Sequence, residues 1–141
     1  MVPAVCSGAV VVVPVCDGKF ILLNQFRHAL RDFQFAFPRG FGETNIDSAE
    51  NAEKEAEEEL GTRPHDIKYL GQVVADSGMN GNIVDVYTCS VDAEKINIRE
   101  KYEGIKNAVM LDSQEIKDYI RTGKINDGFT LSAYTLYCNS R

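Results

Sequence analysis

A sequence of 141 residues has the size of one compact domain with a single core, and a second independent domain would be cramped within it. Hydrophobic residues make up 44% and charged residues 26%, an ordinary globular balance without low-complexity stretches, so one ordered domain over 1–141 is expected. The formal net charge of −6 works against a nucleic-acid partner, whose affinity draws mainly on Lys and Arg at phosphates, and no apolar run reaches the length of a membrane span.

In chain order, Gly8 to Val15 is β-branched and continuously apolar, Asp17-Gly18 is a hairpin signal, and Lys19 to Gln25 resumes as a second strand. Phe33 to Phe37 alternates aromatic residues with Gln34 and Ala36 and reads as a short strand that ends in a turn at Pro38-Arg39-Gly40-Phe41-Gly42. Asp47 to Leu60 is the clearest helix. Asp47 with Glu50 reads as a capping box, Ala49, Ala52, Ala56 and Leu60 form an apolar stripe, and Gly61 followed by Pro64 ends it. Ile67 to Val74 and Ile83 to Val91 are strand-like runs separated by the turn-rich segment Asp76 to Gly81. Ala108 to Leu111 is a shorter apolar run. Asp112 with Glu115 opens a second helix that stops at Gly123, and Asp127 to Tyr137 reads as a third, with Phe129, Ala133, Leu136 and Tyr137 inward. This order predicts an α/β (α+β) fold, a mixed sheet with helices on its faces.

The residues before Gly8 lack the positive start of a secretory signal, so a cytoplasmic location is expected. Cys6, Cys16, Cys89 and Cys138 lack the close pairing of a zinc site and read as reduced, incidental thiols. The helix carries the chemistry. At 3.6 residues per turn Glu55, Glu58 and Glu59 fall within an arc of about 100°, beside the alanine stripe. Like charges at this spacing cost a few tenths of a kcal/mol per pair, which a cation would relieve, and dense hard oxygen ligands suit Mg²⁺ or Mn²⁺. A solvated acidic face is the alternative for the helix alone. The glycine-bearing turn just upstream tips the balance, because it lets a ligand approach the backbone and offers carbonyl oxygens to a metal.

Gly40 to Thr62, GFGETNIDSAENAEKEAEEELGT, resembles the Nudix box in ungapped register. Gly40 matches its first glycine, Lys54-Glu55 its Arg-Glu pair, Ala56 its apolar site, Glu58-Glu59 its metal-binding pair and Gly61 its last glycine. Three positions depart from the pattern: Ile46 stands where a glutamate is expected, Lys54 replaces arginine and Thr62 replaces an apolar residue. Glu43 and Asp47 are the carboxylates placed to compensate for Ile46. Gln25-Phe26-Arg27-His28 and the run from Gly123 to Leu131 are similar to the ADP-ribose pyrophosphatase branch of that family.

The resemblance implies the Nudix fold, a mixed β-sheet sandwiched between α-helices, and metal-dependent hydrolysis of the diphosphate linkage of a nucleoside diphosphate derivative, such as ADP-ribose or a nucleotide sugar. It implies Glu55 and Glu59 as principal ligands of Mg²⁺ or Mn²⁺, Glu58 joining directly or through water, and the Arg39 carbonyl completing the sphere. The branch takes its water-activating base from a late loop, which here offers Glu100 and Glu103, with Glu103 preferred. Arg27, Arg39 and Gly40 are the candidate substrate contacts, Arg27 by forking onto a phosphate or terminal ribose. Ile46 and Lys54 leave a second reading open, a Nudix-fold module that binds such a ligand without cleaving it. The partner expected is this small molecule; little of the branch's N-terminal dimerisation region is present, so a homodimer would rest on another surface.

Overall fold

The run of valines at the start of the chain becomes β1 (Cys6–Cys16), and its alternation divides the core in two. Val10 and Val12 turn to one face of the sheet, while Val11 and Val13 turn to the other, and all four are buried. Both faces of this strand are covered, which is why its sequence is continuously apolar rather than alternating. The structure is a computed structural model that describes residues 6–79, 81–97 and 105–140.

Asp17 and Gly18, with φ of 50° and 74°, make the tight connection to β2 (Lys19–Arg27), the left-handed pair a two-residue hairpin requires. The remaining strands are β3 (Asp32–Ala36), β4 (Arg39–Gly40), β5 (His65–Val73), β6 (Ile83–Ser90) and β7 (Ile105–Leu111). The seven strands form one sheet in the order β3-β2-β1-β6-β5, with β4 against β1 and β7 against β2. β1 runs parallel to β6 and the other pairings are antiparallel, so the sheet is mixed as expected. Arg39 and Gly40, read from sequence as part of a turn, extend instead along β1 opposite Val11 and Val10, and the Pro38 carbonyl accepts from Val12 N at 2.9 Å.

Helix α1 (Ser48–Leu60) covers one face, burying Ala52, Ala56 and Leu60 against Val10, Val12, Ile21 and Leu23. The expected capping box is absent: Asp47 is the N-cap residue, yet its side chain makes no capping hydrogen bond. The C-terminal signal holds. Gly61 takes φ 72° and donates to the Glu57 carbonyl at 2.8 Å, and a Cβ there would fall 1.7 Å from the Asn97 carbonyl oxygen. Helices α2 (Ser113–Arg121) and α3 (Gly128–Cys138) cover the opposite face, where Ile116, Ile125 and Ala133 pack with Val11, Val13, Leu22 and Phe37. At α2 the capping box does form, with Asp112 accepting from Glu115 N at 2.8 Å and Glu115 from Asp112 N at 3.1 Å. The sheet is thus sandwiched between helices, and α1 crosses it beside β4 and the first half of β1.

Candidate active site

A cavity of about 640 Å³ opens where β1, β4 and the C-terminal half of α1 meet. Glu55, Glu58 and Glu59 all line it, together with Arg27, Arg39 and Gly40, so the fold brings together each described residue expected to hold metal or substrate. Glu103 and the alternative base Glu100 lie outside the described residues. The volume is within the range of small-molecule sites.

The helix places its carboxylates by the same geometry that buries its alanines. Ala52, Ala56 and Leu60 face the core, and one step around the cylinder Glu59 is drawn in with them, to 5% exposure. Glu55 is half-buried and Glu58 exposed. A carboxylate buried to that degree carries a large desolvation cost unless charge or hydrogen bonds offset it. The lining also holds Arg27, at the end of β2, and Arg39. Arg39 reaches Asp127 at 3.8 Å and lies over the Phe129 ring, 4.8 Å from its centroid. Asp127 in turn accepts from Thr130 N at 3.0 Å and from the Thr130 hydroxyl at 2.7 Å, and that hydroxyl accepts from Phe37 N at 3.1 Å. The first turn of α3 is therefore fastened to the chain just before β4, and Arg39 is held at the cavity by a fixed carboxylate.

Gly40 explains how a carboxylate is accommodated against a strand. A Cβ on this residue would lie 2.2 Å from both Cδ and Oε2 of Glu55, so the carboxyl group occupies the space a side chain would take. This cradle, with Glu58 and Glu59 on the same wall, is an all-oxygen donor set suited to a hard divalent cation. Among the described residues no group of three or more His, Cys, Asp and Glu side chains converges as a complete metal site. Mg²⁺ takes one or two carboxylates and fills the rest of its sphere with water and substrate phosphate. The residues present fit such an ion.

The departures from the motif lie elsewhere. Ile46 and Lys54 line a separate groove on the outer side of α1, which shares only Glu58 with the cavity. Lys54 Nζ meets Glu43 Oε1 at 3.3 Å. The hydrogen bond to Glu43, and then that carboxylate's charge, push the Lys54 ammonium above its ordinary range, with smaller pulls from Glu58 and Glu55. Of the two carboxylates near Ile46 in sequence, Glu43 is the one that pairs with Lys54.

Asn51 was not legible as a site residue, yet it organises the loop ahead of the helix. It is fully buried; its amide oxygen accepts from Glu43 N at 3.0 Å, and its amide nitrogen donates to Glu43 O at 2.7 Å. The available signal was an asparagine, a poor helix-interior residue, placed beside the alanine stripe. Gln25, Phe41 and Phe129 are further cavity residues that the motif did not mark. Ala75 and Asn82, at the two feet of the segment from Asp76 to Gly81, also line it. His28 and His65 are exposed and line neither the cavity nor the outer groove.

The NUDIX domain model matches residues 7–126, so the chain belongs to the Nudix family of hydrolases. Solved structures share its fold, two of them as follows. One, described as an ADP compounds hydrolase, superposes with a TM-score of 0.78 at 18% identity, over 92% of this chain and 69% of that one. The other, a NUDIX hydrolase from Nitrosomonas europaea, has a TM-score of 0.68 at 18% identity, over 92% of this chain and 86% of that one. No curated protein sequence matches the chain. Among the described residues, no helix is long and apolar enough to cross a membrane.

Proposed function

We propose that the chain hydrolyses the diphosphate linkage of a nucleoside diphosphate derivative, ADP-ribose or a nucleotide sugar, by attack of water at phosphorus. The observation that carries this reading is the shared cavity, which Glu55, Glu58 and Glu59 line together with Arg27 and Arg39. A diphosphate needs both kinds of partner, anionic ligands for a bridging cation and planar cationic forks for its own oxygens. The structural likeness to an ADP compounds hydrolase supports the substrate class.

In this reading Glu55, Glu59 and Glu58, with the Arg39 carbonyl, hold Mg²⁺ or Mn²⁺, which when bound neutralises phosphate charge and lowers the pKa of a ligated water. Gly40 admits the Glu55 carboxylate. Arg27 forks onto a phosphate or the terminal ribose, and Arg39, braced by Asp127, holds the diphosphate against the acidic wall. Glu103 takes the proton of the attacking water. Of the described residues that flank Glu103 in the chain, Asn97 N donates to the Leu60 carbonyl at 2.7 Å, at the end of α1, and Ile105 pairs with Gln25, which lines the cavity. The anhydride P–O bond then breaks, and ADP-ribose gives AMP and ribose 5-phosphate.

Geometry favours cleavage over binding alone, because Ile46 and Lys54 stand on the outer side of the helix and subtract no carboxylate from the cavity. The test is to incubate the protein with ADP-ribose and Mg²⁺ or Mn²⁺ and to follow AMP. Wild type releases it and Glu59→Gln does not; equal turnover in the variant removes the assignment. Ligand affinity without product would instead establish the binding module. A cytoplasmic location remains the companion proposal, checked by fractionation.

A further inference from the structure

Gly40 and Gly42 lie two residues apart on the chain leaving β4, and Glu55 and Asn51 lie four apart on α1. Each glycine seats one of these helix side chains. A Cβ on Gly40 would fall 2.2 Å from Glu55 Cδ, and a Cβ on Gly42 would fall 2.6 Å from Asn51 Cγ. Two residues of chain span at most about 7 Å, and four residues of helix rise about 6 Å, so the two steps match. The segment therefore runs antiparallel to the helix with one glycine under each side chain. The Glu55 rung lines the cavity, whereas Asn51 and Gly42 stand outside it.

We infer that Asn51 is a positioning residue: it locks the register of this segment against α1 and so holds Gly40, with the Arg39 carbonyl beside it, at the level of Glu55. The inference rests on the function proposed above, in which that carbonyl and that carboxylate share one cation. Asn51 reads the segment by its backbone. Its amide oxygen accepts from Glu43 N at 3.0 Å and its amide nitrogen donates to Glu43 O at 2.7 Å, so one side chain matches both the donor and the acceptor of one residue. A slip of one residue breaks both bonds at a fully buried amide and turns the other side of the chain toward the helix. Gly42, at φ 58°, supplies the left-handed turn just before Glu43. The same amide nitrogen lies 3.5 Å from the Gly8 carbonyl, which ties the start of β1 to the lock. The second link from α1 to Glu43, through Lys54, joins side chains that are 48% and 56% exposed, and such a pair adds little to the register. An asparagine is disfavoured inside a helix, and this tie is the physical reason for one here.

The test uses the intact protein with Mn²⁺ alone, free Mn²⁺ being counted by its EPR signal. Asn51→Ala weakens Mn²⁺ binding by about tenfold, the scale of loss when a group that orients a metal ligand is removed. In the metal-free protein the same variant shifts the amide NMR signals of Gly40 and Phe41. Val91→Ala opens a cavity in the core cluster under α1 and lowers the melting temperature, yet keeps both readings at wild-type values, which separates register from general loosening. Asn51→Thr, close to asparagine in size but with one hydrogen-bonding group, is read in the same way where Asn51→Ala does not fold. Mn²⁺ affinity within about twofold of wild type in the Asn51 variant, or an equal loss in Val91→Ala, overturns the inference. Cleavage of ADP-ribose by wild type then leaves the hydrolase reading standing. If wild type neither binds Mn²⁺ nor cleaves, the hydrolase reading falls and the metal-free amide signals decide the lock: shifted Gly40 and Phe41 signals support it, and unmoved ones overturn it too.

Discussion

Replacing Gly40 with alanine separates the placing of a carboxylate from its presence. The new Cβ would lie 2.2 Å from the Glu55 carboxyl carbon, whereas ordinary contact begins at 3.4 Å, so the carboxylate must retreat by about 1.2 Å. Gly40 is not in a left-handed conformation and its clashes are with the far end of a flexible side chain, so folding changes little. A displacement of about 1 Å in a reacting constellation costs on the order of 100-fold in rate, and that is the loss expected in kcat for ADP-ribose. The assay is steady-state AMP release at saturating Mn²⁺ beside a thermal melt. Glu55→Gln serves as the second corner of a double-mutant cycle: in that background Gly40→Ala adds less than about threefold, because both changes act on one group. Turnover of Gly40→Ala within about threefold of wild type, or fully additive effects, would refute the idea that Gly40 exists to seat Glu55.

Asn51→Ala leaves the Glu43 N–H and carbonyl without their buried partner and lowers stability by about 2 kcal/mol, measured by urea unfolding; a change below about 0.5 kcal/mol would show that the loop holds itself. Ile46→Glu, which restores the family carboxylate, changes turnover by less than about threefold, since this residue lines the outer groove rather than the cavity. Burial pushes the Cys89 thiol up from 9.0 to about 12, so it stays protonated at pH 8 and iodoacetamide labels the exposed Cys138 before it, as mass spectrometry of digests will show. A group whose folded pKa is raised supports the fold below its unfolded pKa and loses that support as pH climbs, so stability declines between pH 9 and about 12, and Cys89→Ala makes this decline shallower.

The local elements were readable because each rests on neighbours in sequence. Asp17-Gly18 dictates a hairpin by its backbone freedom, and Ala52, Ala56 and Leu60 mark the buried side of α1 by periodicity. The parallel pairing of β1 with β6, from Val10 opposite Asp85 to Val15 opposite Ser90, is non-local and leaves no trace in either strand alone. β4 escaped for the same reason, since a pair as short as Arg39–Gly40 becomes a strand only because Val10 and Val11 are beside it. The capping signal at Asp47 failed although the same pattern succeeded at Asp112, and nothing in the structure explains the difference. At the site, the spacing of Glu55, Glu58 and Glu59 foretold a common wall. The rest of the lining is assembled from α3, the strand ends and the feet of the segment between β5 and β6, so Phe129, Ala75 and Asn82 had no local signature. The pairing of Glu43 with Lys54, eleven residues apart, likewise had no local signature.

The central claim is that a divalent cation joins the glutamate wall to the substrate's diphosphate, and one measurement addresses it most directly. Crystals grown with Mn²⁺ and a non-hydrolysable ADP-ribose analogue, recorded with anomalous scattering, should show manganese in the cavity, about 2.0–2.3 Å from oxygens of Glu55 and Glu59 and of the ligand phosphates. A ligand seated in the cavity with no anomalous peak beside those carboxylates would contradict it.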